Sequence, residues 1–360
     1  MMKAQLEKLR KTMKEKDREI IRLLNERSRI SLRIGGVKGE EGLDVYDPAQ
    51  EAKVYGYLRE LNCGPLPPVA IDTIFREVIS ASRDLQKPTT VAFLGPEASF
   101  SHLAARRHFG ESGSLFPQPG IARVFDEIER GSADWGVVPV ENSQEGSVNV
   151  TLDRLVLTPL KIRAEIFLRI SQCLISSAND LQSIRRIYSH PQALAQCRTW
   201  LAANLPRCVL QERESTAAAA QMVKGKKTEA AIGSSLAALE NGLQILAEGI
   251  EDNSSNTTRF LVIGKGETAA TGKDKTSLVF TTPHSPGSLY RALAPFARRR
   301  INLIKIESHP VKERLWEYLF FVDIVGHIAD EEVIHCLQEL KKKTTLLKIL
   351  GSYPRAEGGE

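Results

Sequence analysis

Cysteine is scarce in this 360-residue chain and poorly placed for chemistry. The five residues (Cys63, Cys173, Cys197, Cys208, Cys336) show no CxxC pair and no Cys/His ligand spacing, which argues against a disulfide framework and against a zinc centre. Long apolar runs are missing too, and the N-terminus is charged and helix-forming, so neither a membrane span nor a secretory signal is expected. The expected location is the cytoplasm. Basic residues exceed acidic ones only mildly, for a net charge of +5, and they form no patch interleaved with aromatics. Nucleic acid and membrane are therefore not expected partners, while small anions are weakly favoured. What is present, 42% hydrophobic and 26% charged residues, is normal for two or three globular domains.

Asn256-Thr257-Thr258-Arg259-Phe260 places an amide, hydroxyls and a guanidinium where a polar loop runs into the strand-like Leu261-Val262-Ile263. A strand fixes such donors while the loop still reaches solvent, which suits a small anion. Taken alone, the stretch reads first as an Asx/Ser-Thr turn opening a strand. The sequon formed by Asn256 and Thr258 would matter only in a secreted protein.

Residues 3 to 36 form one long heptad-patterned helix, with Leu6, Leu9, Met13, Ile20, Leu23, Ile30 and Ile34 on its apolar seam. Arg27 interrupts that seam far from either end and is expected to face a buried anion. Lys38 shares its face if the helix persists through Gly35 and Gly36. Arg10 lies about 25 Å away at 1.5 Å per residue, so it can join the same site only from a second copy of the chain. Asp47-Pro48 opens a second helix as an N-cap followed by proline, with Gln50 placed to close a capping box and Glu51 one turn on. A third begins near Pro67-Pro68, and its line Ile71, Phe75, Ile79 turns polar at Ser82 and Gln86.

These residues, in register, resemble the all-helical chorismate mutase domain of the intertwined-dimer type. The resemblance implies that Arg10 of a second copy and Arg27 hold substrate carboxylates and that Lys38 and Gln86 face the breaking ether oxygen. It also implies that Glu51 takes the ring hydroxyl and that Asp47 and Ser82 line the site. Gln50 departs from the pattern, which has arginine there; one weakened carboxylate contact implies a slowed mutase with a raised KM.

After the linker Lys87-Pro88-Thr89, strands and helices alternate, and polar loops follow strand ends at Gly95 to His102, Glu141-Asn142-Ser143, Ser189 to Gln192, Glu214-Ser215-Thr216 and Asn256 to Phe260. Ligands of open α/β sheets bind at such ends. VAFLGPEASFSHLAA, GVVPVENSQEGSVN, YSHPQALAQC, ESTAAAA, AAIGS and NTTRFLVIG, in this order, resemble prephenate dehydratase. That implies an α/β domain of two lobes, like a periplasmic binding protein, with the site between them. Thr258 is implied as the catalytic hydroxyl, Arg259 as organiser of the loop or of a carboxylate, and Glu141, Asn142, Ser143, Ser99 and Ser189 as the lining. Ala98-Ser99 stands where the pattern often has Gly-Thr.

Beyond the polar segment Glu267 to Lys275, a βαββαβ order (strands 276–282, 303–308, 315–325 and 346–351; helices 287–300 and 330–343) marks an α+β ferredoxin-like domain. It resembles the ACT regulatory domain, which implies a phenylalanine site at Gly287, Ser288, Leu289, Glu307, Ser308 and His309. His309 replaces the usual arginine, and a neutral imidazole implies weaker or pH-sensitive inhibition.

As a whole the chain resembles the bifunctional chorismate mutase/prephenate dehydratases with a C-terminal ACT domain, divided at 1–87, 88–266 and 276–354. The resemblance implies chorismate and prephenate as substrates, phenylalanine as effector, no metal or organic cofactor, and a homodimer or higher homo-oligomer. Two rivals remain: a dehydratase whose helical domain only dimerises or senses, and a solute-binding protein on the two-lobed fold.

Overall fold

The computed structural model describes residues 2–310 and 318–356. They form two compact units, residues 1–47, 54–89 and 109–114 in one and 48–53, 90–108 and 115–360 in the other.

The first unit holds α1 (Met2–Glu40), α3 (Pro68–Gln86) and, from residue 54 on, α2 (Pro48–Leu61). α1 passes through Gly35 and Gly36 without a break. At Gly35 a Cβ would sit 2.6 Å from the Gln86 Cγ, so a residue that costs a helix about 1 kcal/mol is what lets α3 approach. Along α1 the heptad residues Leu9, Met13, Ile20 and Ile30 stay exposed.

In the second unit β1 (Thr90–Leu94), α4 (Phe100–Phe109), β2 (Ser114–Gln118), α5 (Ile121–Arg130), β3 (Trp135–Asn142), β4 (Gly146–Ser147), α6 (Asn149–Leu157) and β5 (Lys161–Arg169) build the first lobe. The chain then crosses to a second: β6 (Cys173–Ser176), β7 (Arg186–Ser189), α7 (Pro191–Gln196), α8 (Arg198–Asn204), β8 (Val209–Glu212), α9 (Thr216–Met222), β9 (Glu229–Gly233), α10 (Ser235–Asn241) and β10 (Gln244–Glu248). It returns as β11 (Thr257–Gly264), which enters the first sheet between β3 and β5, antiparallel to both. The sheet orders are β2-β1-β3-β11-β5, with β4 on β3, and β10-β6-β9-β7-β8.

The last part runs β12 (Asp274–Thr281), α11 (Ser288–Arg298), β13 (Leu303–Pro310), β14 (Tyr318–Val325), α12 (Glu331–Lys341) and β15 (Leu346–Pro354). Its antiparallel sheet, β13-β14-β12-β15, has the expected ferredoxin-like order. Residues 315–317, expected to begin the third of its strands, lie outside the described residues. One face of this sheet packs on its own helices through Leu278, Phe280, Phe296 and Val322. The other face joins the first lobe's core, where Val279, Phe321 and Leu350 meet Leu152, Leu160 and Ile162.

β5 is buried along most of its length, and its register against β11 slips at Arg163. Glu165 meets Arg259 and Lys275, while Arg163 lies over the Trp135 ring and donates to Thr268 Oγ1 at 2.9 Å. Among the described residues no helix is long and apolar enough to cross a membrane.

Candidate active sites

In the helical unit, Arg27 is half-buried and its Nη1 donates to Ser82 Oγ at 2.8 Å. Burial lowers its pKa from the ordinary guanidinium value. Among the described residues no carboxylate pairs with it, so a cation stands in a partly dry site with only a hydroxyl for company. Beside it, Gln86 Nε2 donates to Ser31 Oγ at 2.6 Å and to the Ser82 carbonyl at 3.2 Å, while its buried Oε1 has no partner. Arg27, Ser82 and Gln86 are thus brought together.

Lys38 is occupied by the loop ahead of α2, donating to the carbonyls of Asp44 and Val45 at 3.0 and 2.9 Å. Arg10 is exposed and, seventeen residues along the same unbroken helix, about 25 Å from Arg27. Asp47 immediately precedes α2, Gln50 is exposed in its first turn, and Glu51 follows, half-buried.

The second site is a cleft of about 290 Å³ between the two lobes, at the strand ends where the loops were expected to converge. Thr258, Asn142 and Ser99 line it. Asn142 Nδ2 donates to Thr258 Oγ1 and to Asn256 Oδ1, both at 2.8 Å, while its Oδ1 accepts from the amides of Gln144 and Glu145. The amide is therefore fixed on both sides. Thr258 Oγ1 receives a hydrogen bond but meets no acceptor for its own proton among the described residues, so that proton is available to a ligand. Ser99 caps α4, accepting from His102 N and donating to the Leu94 carbonyl, both at 3.2 Å. Just before it, Ala98 takes a left-handed φ of 62°, the conformation a glycine adopts without strain.

Three expected lining residues, Ser189, Ser143 and Glu141, do not face this cleft, nor does Arg259. Ser189 is fully buried and donates to the Ile232 carbonyl at 2.7 Å, holding β7 to β9. Ser143 Oγ accepts from Thr257 N at 3.0 Å, tying a turn to β11. Glu141 and Arg259 point the opposite way, because successive side chains of a strand alternate in direction: Asn142 and Thr258 face the cleft, and their neighbours face the third sheet. Gln172, His190, Glu214 and Asn256 also line the cleft. The last three belong to the loops already noted, Asn256 as the amide of the anion-suited stretch, and Gln172 gave no signal in sequence. His190 Nδ1 accepts from Gln192 N at 3.3 Å, which leaves the ring's proton on Nε2. No Lys or Arg appears in this lining among the described residues.

On the far side Arg259 is 7% exposed. Its Nε donates to Glu165 Oε2 at 2.9 Å, its Nη1 lies 2.7 Å from Asp323 Oδ2, and its Nη2 donates to Tyr353 Oη at 3.0 Å. Burial alone would lower its pKa, but Tyr353, Asp323 and Glu165 outweigh that and hold it above the ordinary value. Tyr353, fully buried, is pushed well above the usual phenol range, so it stays a neutral donor. Lys275 shares Glu165 Oε2 at 2.8 Å, and Lys305 pairs with Glu141 at 2.8 Å.

The expected effector residues also divide. Gly287, Ser288 and Leu289 line a pocket of about 220 Å³ with His284, Tyr318 and Phe320. Glu307 and His309 do not: Glu307 pairs with Lys305 at 3.1 Å, and the buried His309 ring contacts Asp153 of α6 at 2.8 Å. Ser308 lies exposed between them on edge strand β13. Among the described residues no group of His, Cys, Asp and Glu could hold a metal.

Residues 9–87 match the type II chorismate mutase family, 91–268 the prephenate dehydratase family, and 276–342 the ACT domain. The bifunctional chorismate mutase/prephenate dehydratase of Aquifex aeolicus is 45% identical over 356 residues, covering 98% of each chain. That of Neisseria gonorrhoeae is 43% identical over 343 residues, covering 94% of each. Among solved structures, the prephenate dehydratase of Arthrobacter aurescens in complex with L-Phe superposes with a TM-score of 0.68 at 36% identity, covering 75% of this chain and 91% of that one.

Proposed function

We propose, since the chain belongs to the family of bifunctional chorismate mutase/prephenate dehydratases, that residues 1–87, 88–266 and 276–354 divide its work. The first part rearranges chorismate to prephenate, the second converts prephenate to phenylpyruvate, and the third senses phenylalanine.

The observation that carries the dehydratase assignment is the Asn142–Thr258 pair in a cleft without Lys or Arg. Prephenate loses its ring hydroxyl as water and its ring carboxylate as carbon dioxide, whose bonding electrons enter the ring. A cation gripping that carboxylate would stabilise the ground state and oppose the reaction. Neutral donors suit it better, with the Thr258 hydroxyl directed at the leaving oxygen and Asn142 fixing the direction of that hydroxyl. The start of α4, where Phe100 and Ser101 line the cleft, faces the pyruvyl carboxylate. Arg259 and Glu141 act from behind the strands.

In the mutase, Arg27 and Arg10 of a second copy take the two carboxylates, Gln86 and Lys38 the ether oxygen, and Glu51 the ring hydroxyl. Asp47, Gln50 and Ser82 complete the surroundings. A homodimer follows from this: Arg10 and Arg27 cannot meet within one straight helix, and the exposed heptad residues of α1 offer the surface. Phenylalanine binds where Gly287, Ser288 and Leu289 meet His284, Tyr318 and Phe320. The test is to give the purified protein chorismate, then prephenate, and follow each product with and without phenylalanine. Both conversions, with the second curtailed by phenylalanine, are expected; tight phenylalanine binding without turnover of prephenate would refute the assignment.

A further inference from the structure

β3 and β11 carry two side-chain pairs back to back. Asn142 and Thr258 are register partners facing the cleft, and Glu141 and Arg259, register partners one residue along, face the third sheet. There they meet a second cross-strand pair, for Lys305 of β13 and Asp323 of β14 are register partners too. Lys305 Nζ lies 2.8 Å from Glu141 Oε2, and Arg259 Nη1 lies 2.7 Å from Asp323 Oδ2 and 4.0 Å from Glu141. Each strand of one sheet thus finds its opposite charge on a different strand of the other.

The backbone around the pair makes this contact matter. The β3–β11 register slips between Arg259 and Phe260, where Phe260 faces Pro139 and Val140 is left over. A bulge leaves its extra residue unpaired and bends the strand locally, so where the side chains just past it point depends on what they meet as well as on the ladder. The stretch that contains Asn142 and Thr258 lies just past it, at the strand ends on the cleft; its backbone register continues against β5 and is closed by the bonds between Ser143 and Thr257, and the charged side chains behind it hold it against the third sheet. Asp323 is itself held, accepting from Ser277 Oγ at 2.5 Å, and Lys305 is also paired with Glu307.

We propose that Lys305 and Asp323, which touch no substrate, are positioning residues for the dehydratase reaction. They grip Glu141 and Arg259 from behind and so keep the Asn142 amide on the Thr258 hydroxyl. The inference rests on the assignment of that hydroxyl to the dehydratase site. It makes the third sheet part of the catalytic scaffold as well as a sensor.

The test uses the full-length chain, whose mutase activity reports on folding in the same sample. Lys305→Met and Asp323→Asn are each expected to lower the dehydratase kcat about tenfold, as small misplacements of reacting groups do, with KM and mutase turnover nearly unchanged. Lys305→Arg should restore most of the kcat. Exchanging the two residues, Lys305→Asp with Asp323→Lys, keeps the composition but sets like charges against Glu141 and Arg259, and should be worse than either single change. Unchanged kcat in both single variants would overturn the proposal. So would a parallel fall in both activities that Lys305→Arg shares, which would mark structural support alone. If Thr258→Ala itself left turnover intact, the site assignment would fail first, and independently of these variants.

Discussion

The Asn142 amide donates to the Thr258 hydroxyl at 2.8 Å across the last rung of two antiparallel strands. The hydroxyl's oxygen is thereby engaged and its proton left for a ligand, so the two residues should act as one device. Thr258→Ala is expected to lower dehydratase kcat at least tenfold with the fold retained, and Asn142→Ala about as much. The double variant should be little worse than the poorer single one, since groups acting as a unit are not additive. Independent, multiplying losses in steady-state assays would separate them.

Gln50 offers a gain-of-function test. It is exposed in the first turn of α2, where the family pattern has arginine. A charged donor is worth about 1 to 3 kcal/mol to a bound carboxylate, so Gln50→Arg should raise kcat/KM for chorismate about tenfold, chiefly through KM. No change would mean that the missing guanidinium is irrelevant in this chain.

His309 ties the third sheet to α6. It is 5% exposed and its ring is bonded to Asp153, so His309→Ala should destabilise the protein by about 1 to 3 kcal/mol through the lost hydrogen bond and the space left by the ring. His309→Gln, able to keep one hydrogen bond, should recover most of this in thermal unfolding. Phenylalanine inhibition in His309→Gln is expected to match wild type between about pH 6 and 8, the window around a typical histidine pKa.

Gly351 marks a close approach of the third sheet to the first. A Cβ there would meet the Ile162 backbone, with its nitrogen at 2.9 Å and its carbonyl carbon at 3.0 Å, and would clash with its oxygen. Backbone does not move aside as a side chain can, so Gly351→Ala should lower stability by about 1 to 3 kcal/mol and blunt the response to phenylalanine. A wild-type melting midpoint would show that the two sheets are not so tightly seated.

The cysteines should differ sharply in reactivity. Burial, with nearby acidic groups, raises Cys173 to about 11 and Cys197 to about 12, and burial likewise raises Cys336 to about 11. A raised thiol pKa means the nucleophilic thiolate is absent below it, so at pH 8 these three should resist iodoacetamide. Cys63, which is exposed, should give the first adduct by mass spectrometry, and rapid labelling of Cys197 in the native protein would contradict this.

Element order was legible from periodicity and turn residues, and so were the cleft loops, because strand ends announce themselves in sequence. Facing was also legible, yet the expected site broke it. Thr258 and Arg259 are neighbours in a strand, as are Glu141 and Asn142, and a two-residue period cannot send both members of a pair into one cleft. Gln172 was hidden because nothing local distinguishes a polar residue at a lobe crossing from one in solvent. The meetings of Glu165 with Lys275 and of Glu141 with Lys305 depend on a sheet whose sequence lies more than a hundred residues away. No local pattern encodes that.

The position of β11 has a further consequence for how the protein is made. Its neighbours β3 and β5 are both synthesised before the second lobe begins, and β11 only after that lobe is finished. Until then the growing chain presents two unpaired strand edges across a gap one strand wide, the kind of surface that recruits the wrong partner. A ribosome that stopped short of Thr257 would release a polypeptide unable to close its first sheet, so truncated products should aggregate or be degraded.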